Sequence, residues 1–156
     1  MTAVLSFGSN LGDRLGHLRA GVELVRQVLP VTAVSAVYET EPVGVSGQQP
    51  YLNCVALVDC DDAQAALVAA QRAEELRGRI RTTRWGPRTL DVDVVTVDSL
   101  VSDDPRLTLP HPRAAERAFV LVPWLEIDPV AELPGRGQVR ALLDGVDTSG
   151  VRRWAP

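Results

Sequence analysis

Two hydrophobic periods alternate between residues 3 and 98, and their order leaves few folds open. Residues 3–8 form a short apolar run ending in Gly8-Ser9-Asn10, the pattern of a strand that enters a turn. Leu15, Leu18, Val22, Val25 and Leu29 then recur at helical spacing, until Pro30 closes the helix. Residues 31–38 are rich in β-branched side chains and predict a second strand. Residues 39–50 hold two prolines, two glycines and two glutamines and predict a mobile loop. A third strand is expected over 52–60, and Asp61-Asp62 can cap the alanine-rich helix over 63–76, which stops near Gly78. Residues 79–89 contain Gly86 and Pro87 and predict another loop; residues 91–98 follow as a fourth strand, with valines on both faces and hence buried on both sides. Strand–helix–strand–strand–helix–strand is the split βαβ order, a ferredoxin-like α+β core with an antiparallel sheet. Prolines from Pro105 to Pro134 break up the remainder, with short helices expected near 113–117 and 139–143. This tail can cover the second face of the sheet, giving three αβα layers.

The 156 residues suit one domain with a real core, and a single domain over 1–156 is expected. A composition of 46% hydrophobic and 23% charged residues is that of a folded chain. No apolar run approaches the ~20 residues of a membrane helix. Met1-Thr2-Ala3-Val4-Leu5 lacks the basic start of a signal peptide, so a cytoplasmic setting is expected. Cys54 and Cys60 share one face of a predicted strand but lie ~20 Å apart along it, beyond disulfide reach. They are expected to be small buried hydrophobes.

The net charge of −4 weighs against a general nucleic-acid binder. All 16 basic residues are arginine. The absence of lysine excludes a Walker A loop, a protein-kinase strand lysine and a Schiff-base lysine together. Between residues 72 and 88, six arginines (Arg72, Arg77, Arg79, Arg81, Arg84 and Arg88) face only Glu74 and Glu75, a local surplus of four positive charges.

Just beyond that island stands Asp91-Val92-Asp93. In a strand the two carboxylates point to one face, with Cα atoms ~7 Å apart. Like charges side by side repel unless a cation joins them. Hard oxygen ligands with no nearby His or Cys favour Mg²⁺, which takes one or two carboxylates plus substrate phosphates. Carboxylates for a metal beside arginines on a loop are what polyphosphate transfer requires.

The segment Arg84-Trp85-Gly86-Pro87-Arg88-Thr89-Leu90-Asp91-Val92-Asp93 resembles the signature of the bacterial 6-hydroxymethyl-7,8-dihydropterin pyrophosphokinases of folate biosynthesis. Further pieces match in the family's order: Gly8-Ser9-Asn10, Thr40 with Pro42, Tyr51-Leu52-Asn53, Gln71 with Glu74, Gly78-Arg79-Ile80-Arg81, Leu107-Thr108-Leu109-Pro110-His111, and Arg117 with Phe119. The resemblance runs from about residue 3 to residue 144; Pro112 departs from it, standing where a larger residue is common.

The resemblance implies transfer of the β,γ-diphosphate of ATP to the pterin's hydroxymethyl oxygen, with release of AMP. Asp91 and Asp93 would then hold two Mg²⁺ ions, and Arg79 and Arg88 would grip the phosphates. Gln71, Glu74, Arg81, Arg84, Trp85, Arg106, Thr108, His111 and Arg117 resemble residues lining the ATP site. Tyr51 and Phe119 match an aromatic sandwich for the pterin, with Asn53 reading its edge and Thr40, Pro42 and Val43 touching the same ring. Small-molecule substrates, no nucleic acid, no membrane and a monomeric chain are expected. By residue type alone, Phe119 is core, Tyr51 a strand-end aromatic, His111 a structural loop histidine and His17 a surface residue.

Two other classes remain to be separated. A nucleotidyltransferase built on Gly-Ser and Asp-x-Asp places its carboxylates roughly a dozen residues after the serine, whereas Asp91 lies more than eighty after Ser9. A ferredoxin-like RNA-binding module displays aromatics on its central strands beside basic surface, but here the fourth strand carries two aspartates.

Overall fold

A computed structural model describes residues 1–41, 49–78 and 89–155. Its elements run β1 (Thr2–Ser9), α1 (Arg14–Arg26), β2 (Val31–Val34), β3 (Tyr38–Thr40), β4 (Tyr51–Asp59), α2 (Ala63–Leu76) and β5 (Asp91–Val97). A 3₁₀ turn (Ala114–Glu116) and α3 (Ala118–Ile127) follow, then β6 (Glu132–Leu133), β7 (Gly137–Gln138), α4 (Val139–Leu143) and β8 (Val151–Arg153). The main sheet has the order β5-β1-β4-β3-β8, with β2 beside β3 along the same edge of β4. Every pairing in it is antiparallel. This is the ferredoxin-like order expected from the periodicity.

Alternation along the central strands builds two cores. Leu5 and Phe7, Leu52 and Cys54, and Val92 and Val94 face α1 and α2. Leu18, Val22 and Val25 come down from α1, and Ala66, Ala69, Ala70 and Ala73 from α2, where the small alanines let that helix lie close to the sheet. On the other side Val4, Val55 and Val95 meet Val120, Leu121 and Trp124 of α3 and Val139 of α4. Helices therefore cover both faces, as the three-layer reading anticipates. Asp62 caps α2 by accepting from the Ala65 amide at 2.8 Å, and Gly78 ends the turn after it at φ +75°. Cys54 and Cys60 are buried free thiols in the first core. Burial pushes the Cys54 thiol up to about 12.

Four differences from the sequence reading have physical causes. The strand expected over 31–38 is two strands, β2 and β3. Between the pairs Val34–Ala56 and Tyr38–Asn53, four steps on one strand face three on the other. The extra residue is absorbed at Ser35, whose hydroxyl accepts from the Val55 amide while its own amide donates to the Val55 carbonyl. Glu39 and Thr40, expected in a loop, belong to β3. Helix α3 fills a stretch expected to be broken by prolines; its Pro123 is inside the helix and buried. His17, read as a surface residue, is partly buried, and its Nδ1 accepts from Arg77 Nε at 3.2 Å. No helix among the described residues is long and apolar enough to cross a membrane.

Candidate active site

The two aspartates of β5 lie on the α3 side of the sheet, while Val92 between them is buried toward α2. Asp91 pairs with Gly8 of β1, and Gly8 pairs with Asn53 of β4, so these three residues form one row across neighbouring strands. Gly8 lies close against its neighbours. A Cβ there would come within 3.0 Å of Asn53 Oδ1 and 3.5 Å of the Tyr51 ring. A side chain at this position would press on the Asn53 amide and lie in ordinary contact with the Tyr51 ring. A glycine inside an apolar strand is the sequence signal for such close approach.

On the carboxylate side, Arg117 Nη1 stands 3.7 Å from Asp93 Oδ2, an ion pair just beyond hydrogen-bond reach. The same guanidinium lies 5.4 Å from the centroid of the Phe119 ring, a cation–π contact. Burial lowers Arg117 from its ordinary value, and Asp93 acts against that shift. His111 is held nearby by its amide, which donates to the Val95 carbonyl of β5 at 2.8 Å. Burial lowers the His111 pKa, with Arg117 and Arg113 acting in the same direction and Asp93 opposing them. Its Nδ1 accepts from the Arg113 amide at 3.2 Å, which leaves Nε2 to carry the proton of a neutral ring.

On the other side of Gly8, Asn53 is buried and its Nδ2 donates to Thr40 Oγ1 at 2.9 Å. Tyr51 pairs with Thr40 in the neighbouring register position. Thr40, Tyr51 and Asn53, expected together from separate segments, are thus brought together by β3 and β4.

A third group lies beside α2. Gln71 and Arg106 line one pocket of about 480 Å³, with Gln64, Leu67, Ser102, Asp104 and Leu107 among its walls. Arg106 pairs with Asp104 at 3.1 Å, and the Thr108 hydroxyl donates to the Asp104 carbonyl at 3.1 Å. The wall residues Gln64, Leu67, Ser102 and Asp104 carried no sequence signal, because their types are ordinary for helix surfaces and turns; Leu107 belongs to the matched segment 107–111. Glu74, three residues after Gln71 and so on the same side of α2, differs from it in depth. Gln71 is exposed, whereas Glu74 is 6% exposed and its Oε2 accepts from the Val92 amide at 3.0 Å. A carboxylate of α2 is thereby fixed to the backbone between the two aspartates. Pro42, Val43, Arg79, Arg81, Arg84, Trp85 and Arg88 lie outside the described residues.

The family model of 7,8-dihydro-6-hydroxymethylpterin-pyrophosphokinase matches residues 4–129. The 2-amino-4-hydroxy-6-hydroxymethyldihydropteridine pyrophosphokinase of Mycobacterium bovis is 42% identical over 171 residues, covering 98% of this chain and 89% of that protein. The protein of the same name from Bacillus subtilis is 37% identical over 155 residues, covering 97% and 89%. A crystal structure of wild-type Plasmodium falciparum HPPK-DHPS superposes with a TM-score of 0.69 at 14% identity. It is matched over 97% of this chain and 47% of its own length, so this chain spans under half of that protein and the likeness bears on the fold alone. With a family model over most of its length and relatives at these identities, the chain belongs to the 7,8-dihydro-6-hydroxymethylpterin-pyrophosphokinase family.

Proposed function

We propose that this chain transfers the β,γ-diphosphate of ATP to the hydroxymethyl oxygen of 6-hydroxymethyl-7,8-dihydropterin, giving AMP and the pterin diphosphate in folate biosynthesis. The observation that carries this reading is the row Asp91–Gly8–Asn53. It sets a carboxylate and a buried amide two strand spacings apart, about 10 Å, with no side chain between them. An acceptor whose ring edge meets Asn53 can bring its hydroxymethyl arm toward the aspartates.

The donor set fits magnesium. Among the described residues no group of three or more His, Cys, Asp or Glu side chains could hold a metal, so a closed zinc-type site is not what these residues build. Two carboxylates on one strand face leave coordination positions for phosphate oxygens, which suits Mg²⁺. We assign two Mg²⁺ ions to Asp91 and Asp93, where they would neutralise phosphate charge and acidify the acceptor hydroxyl.

The remaining roles belong to the chain itself. Asn53 and Thr40 orient the pterin edge, with Pro42 and Val43 against the ring. Tyr51 and Phe119 hold the ring plane, each aromatic contact contributing ~0.5–1.5 kcal/mol beyond burial. The pocket with Gln71 and Arg106 takes the nucleoside end, and Arg81, Arg84 and Trp85 are assigned to ATP binding on the resemblance alone. Arg79, Arg88 and Arg117 neutralise the charge that moves during transfer, and His111 can donate Nε2–H to a phosphate oxygen. Residues 1–156 act as one monomeric domain in the cytoplasm, a unity supported by β8 joining the main sheet after residue 150.

The test is product identity. ATP, Mg²⁺ and the reduced pterin together should give AMP and pterin diphosphate in equal amounts, and omission of any one should stop the reaction. Release of pyrophosphate would favour nucleotidyl transfer, and release of ADP simple phosphoryl transfer; either overturns the proposal.

A further inference from the structure

Strand β3, which carries Thr40, is three residues long. Left at the edge of a sheet, so short a strand has little to hold it. Here its second edge is covered from far along the chain: Tyr38, Glu39 and Thr40 pair with Arg153, Arg152 and Val151 of β8. The side chains reinforce that pairing. Arg152 Nη2 meets Glu39 Oε1 at 2.6 Å and Glu41 Oε1 at 2.9 Å. The other oxygen of Glu39 meets Arg14 Nη1 at 3.3 Å, and the same Arg14 nitrogen donates to the Pro50 carbonyl at 2.7 Å. A continuous chain of charges therefore runs from β8 through Glu39 to α1 and on to the residue before Tyr51. Glu39 and Arg14 are each only 18% exposed at the side chain, which shields their contact from solvent screening.

We propose that Arg152 is a positioning residue for the acceptor side of the site: through Glu39 and Arg14 it fixes the relative placement of Thr40 and Tyr51. The inference rests on the reading that Thr40, Tyr51 and Asn53 receive the pterin. Arg152 meets Glu39 and Glu41 and stands on the strand register opposite Glu39, so its effect passes through β3. Both of its carboxylate contacts come from one nitrogen. A lysine ammonium can occupy that single point, so charge and reach matter here more than the guanidinium fork.

The experiment compares wild type, R152A, R152K and R152E by equilibrium titration with the reduced pterin and with an ATP analogue, alongside steady-state kinetics and thermal midpoints. R152A should weaken pterin binding about fivefold, equivalent to about 1 kcal/mol, while ATP-analogue affinity and kcat at saturating pterin stay within about twofold. R152K should restore most of the loss, and R152E should deepen it by repelling Glu39 and Glu41. Unchanged pterin affinity in R152A and R152E overturns the positioning role. Equal losses for both substrates that follow the thermal midpoint overturn it as well, since they mark β8 as a purely structural strand. A wild-type chain that neither binds nor turns over the pterin overturns the functional reading itself, and the positioning role with it; wild-type turnover with indifferent variants overturns only the latter.

Discussion

The two faces of the sheet are built differently, and the contrast shows where polar residues replace the core. The face under α1 and α2 is filled to the strand ends with Leu5, Phe7, Leu52, Cys54, Val92 and Val94. The opposite face is packed under α3 and α4 where Val4, Val55, Leu57 and Val95 lie. Further along the same strands it carries Gly8, Asn53, Asp91 and Asp93 instead. Strand β5 belongs to both regimes: Val92 packs against α2 while its two flanking aspartates turn the other way. Charges at close quarters are tolerated because the strand beneath them is anchored from behind, by Val92 packing and by Glu74 on the Val92 amide.

That contrast can be broken most forcefully at Asp93. Asp93→Ala should lower kcat on the order of 10²–10³-fold, the loss expected when a group stabilising transition-state charge is removed. Its thermal midpoint without ligands should move little, because repulsion from Asp91 and the ion pair with Arg117 are lost together. A near-normal rate, or a large fall in the midpoint, would erase the distinction between the faces at this residue.

Leu18→Ala tests the filled face. Loss of this fully buried side chain should cost about 2–5 kcal/mol of stability. That corresponds to a fall of roughly 5–15 °C in the thermal midpoint for a chain of this size. Rates measured well below the midpoint should stay within about twofold of wild type if the packing is remote from the chemistry.

Phe119→Ala probes the boundary, since this ring both packs against the α3 core and receives the Arg117 guanidinium. Pterin affinity should fall about tenfold, near 1.4 kcal/mol, with ATP affinity changed much less. Equal losses for both substrates would assign Phe119 to the core alone.

The smallest effect expected is at high pH. Burial and the hydrogen bond to Glu126 raise the Tyr38 hydroxyl from its ordinary value of 10 to about 12. A raised phenol pKa gives stability that is fully present below pH 10 and is lost as pH climbs from 10 toward 12. Urea midpoints should therefore decline over that window, and Tyr38→Phe should flatten the decline. An identical slope in the variant would mean that other groups govern it.

How much of this was legible in the sequence follows from how local each signal is. The helix at 63–76 appears with the expected ends, because its alanine run and the Asp62 cap are local. The shared face of Asp91 and Asp93 likewise needs only the two-residue period of a strand. Helix α3 was missed because Phe119, Val120, Leu121, Val122, Trp124 and Leu125 leave almost no polar face from which a helical period can be read, and Pro123 argues against a helix. Strand β8 was missed for a different reason. Its three residues, two of them arginines, carry no apolar pattern, and they pair with a strand over a hundred residues away. In the candidate site, Asn53 and Thr40 were singled out by the resemblance, and the fold brings them into contact. Ser102 lines the pocket beside α2 by its position alone, which one-dimensional patterns record poorly.

The central claim is that Asp91 and Asp93 present their oxygens to the divalent ions that carry the triphosphate. Its most direct test is a crystal of the chain with a non-hydrolysable ATP analogue, the reduced pterin and Mn²⁺ in place of Mg²⁺, read by anomalous scattering. Manganese peaks within coordination distance of both carboxylates and of phosphate oxygens are predicted. Metal and nucleotide bound elsewhere, with both aspartates turned to solvent, would contradict the account.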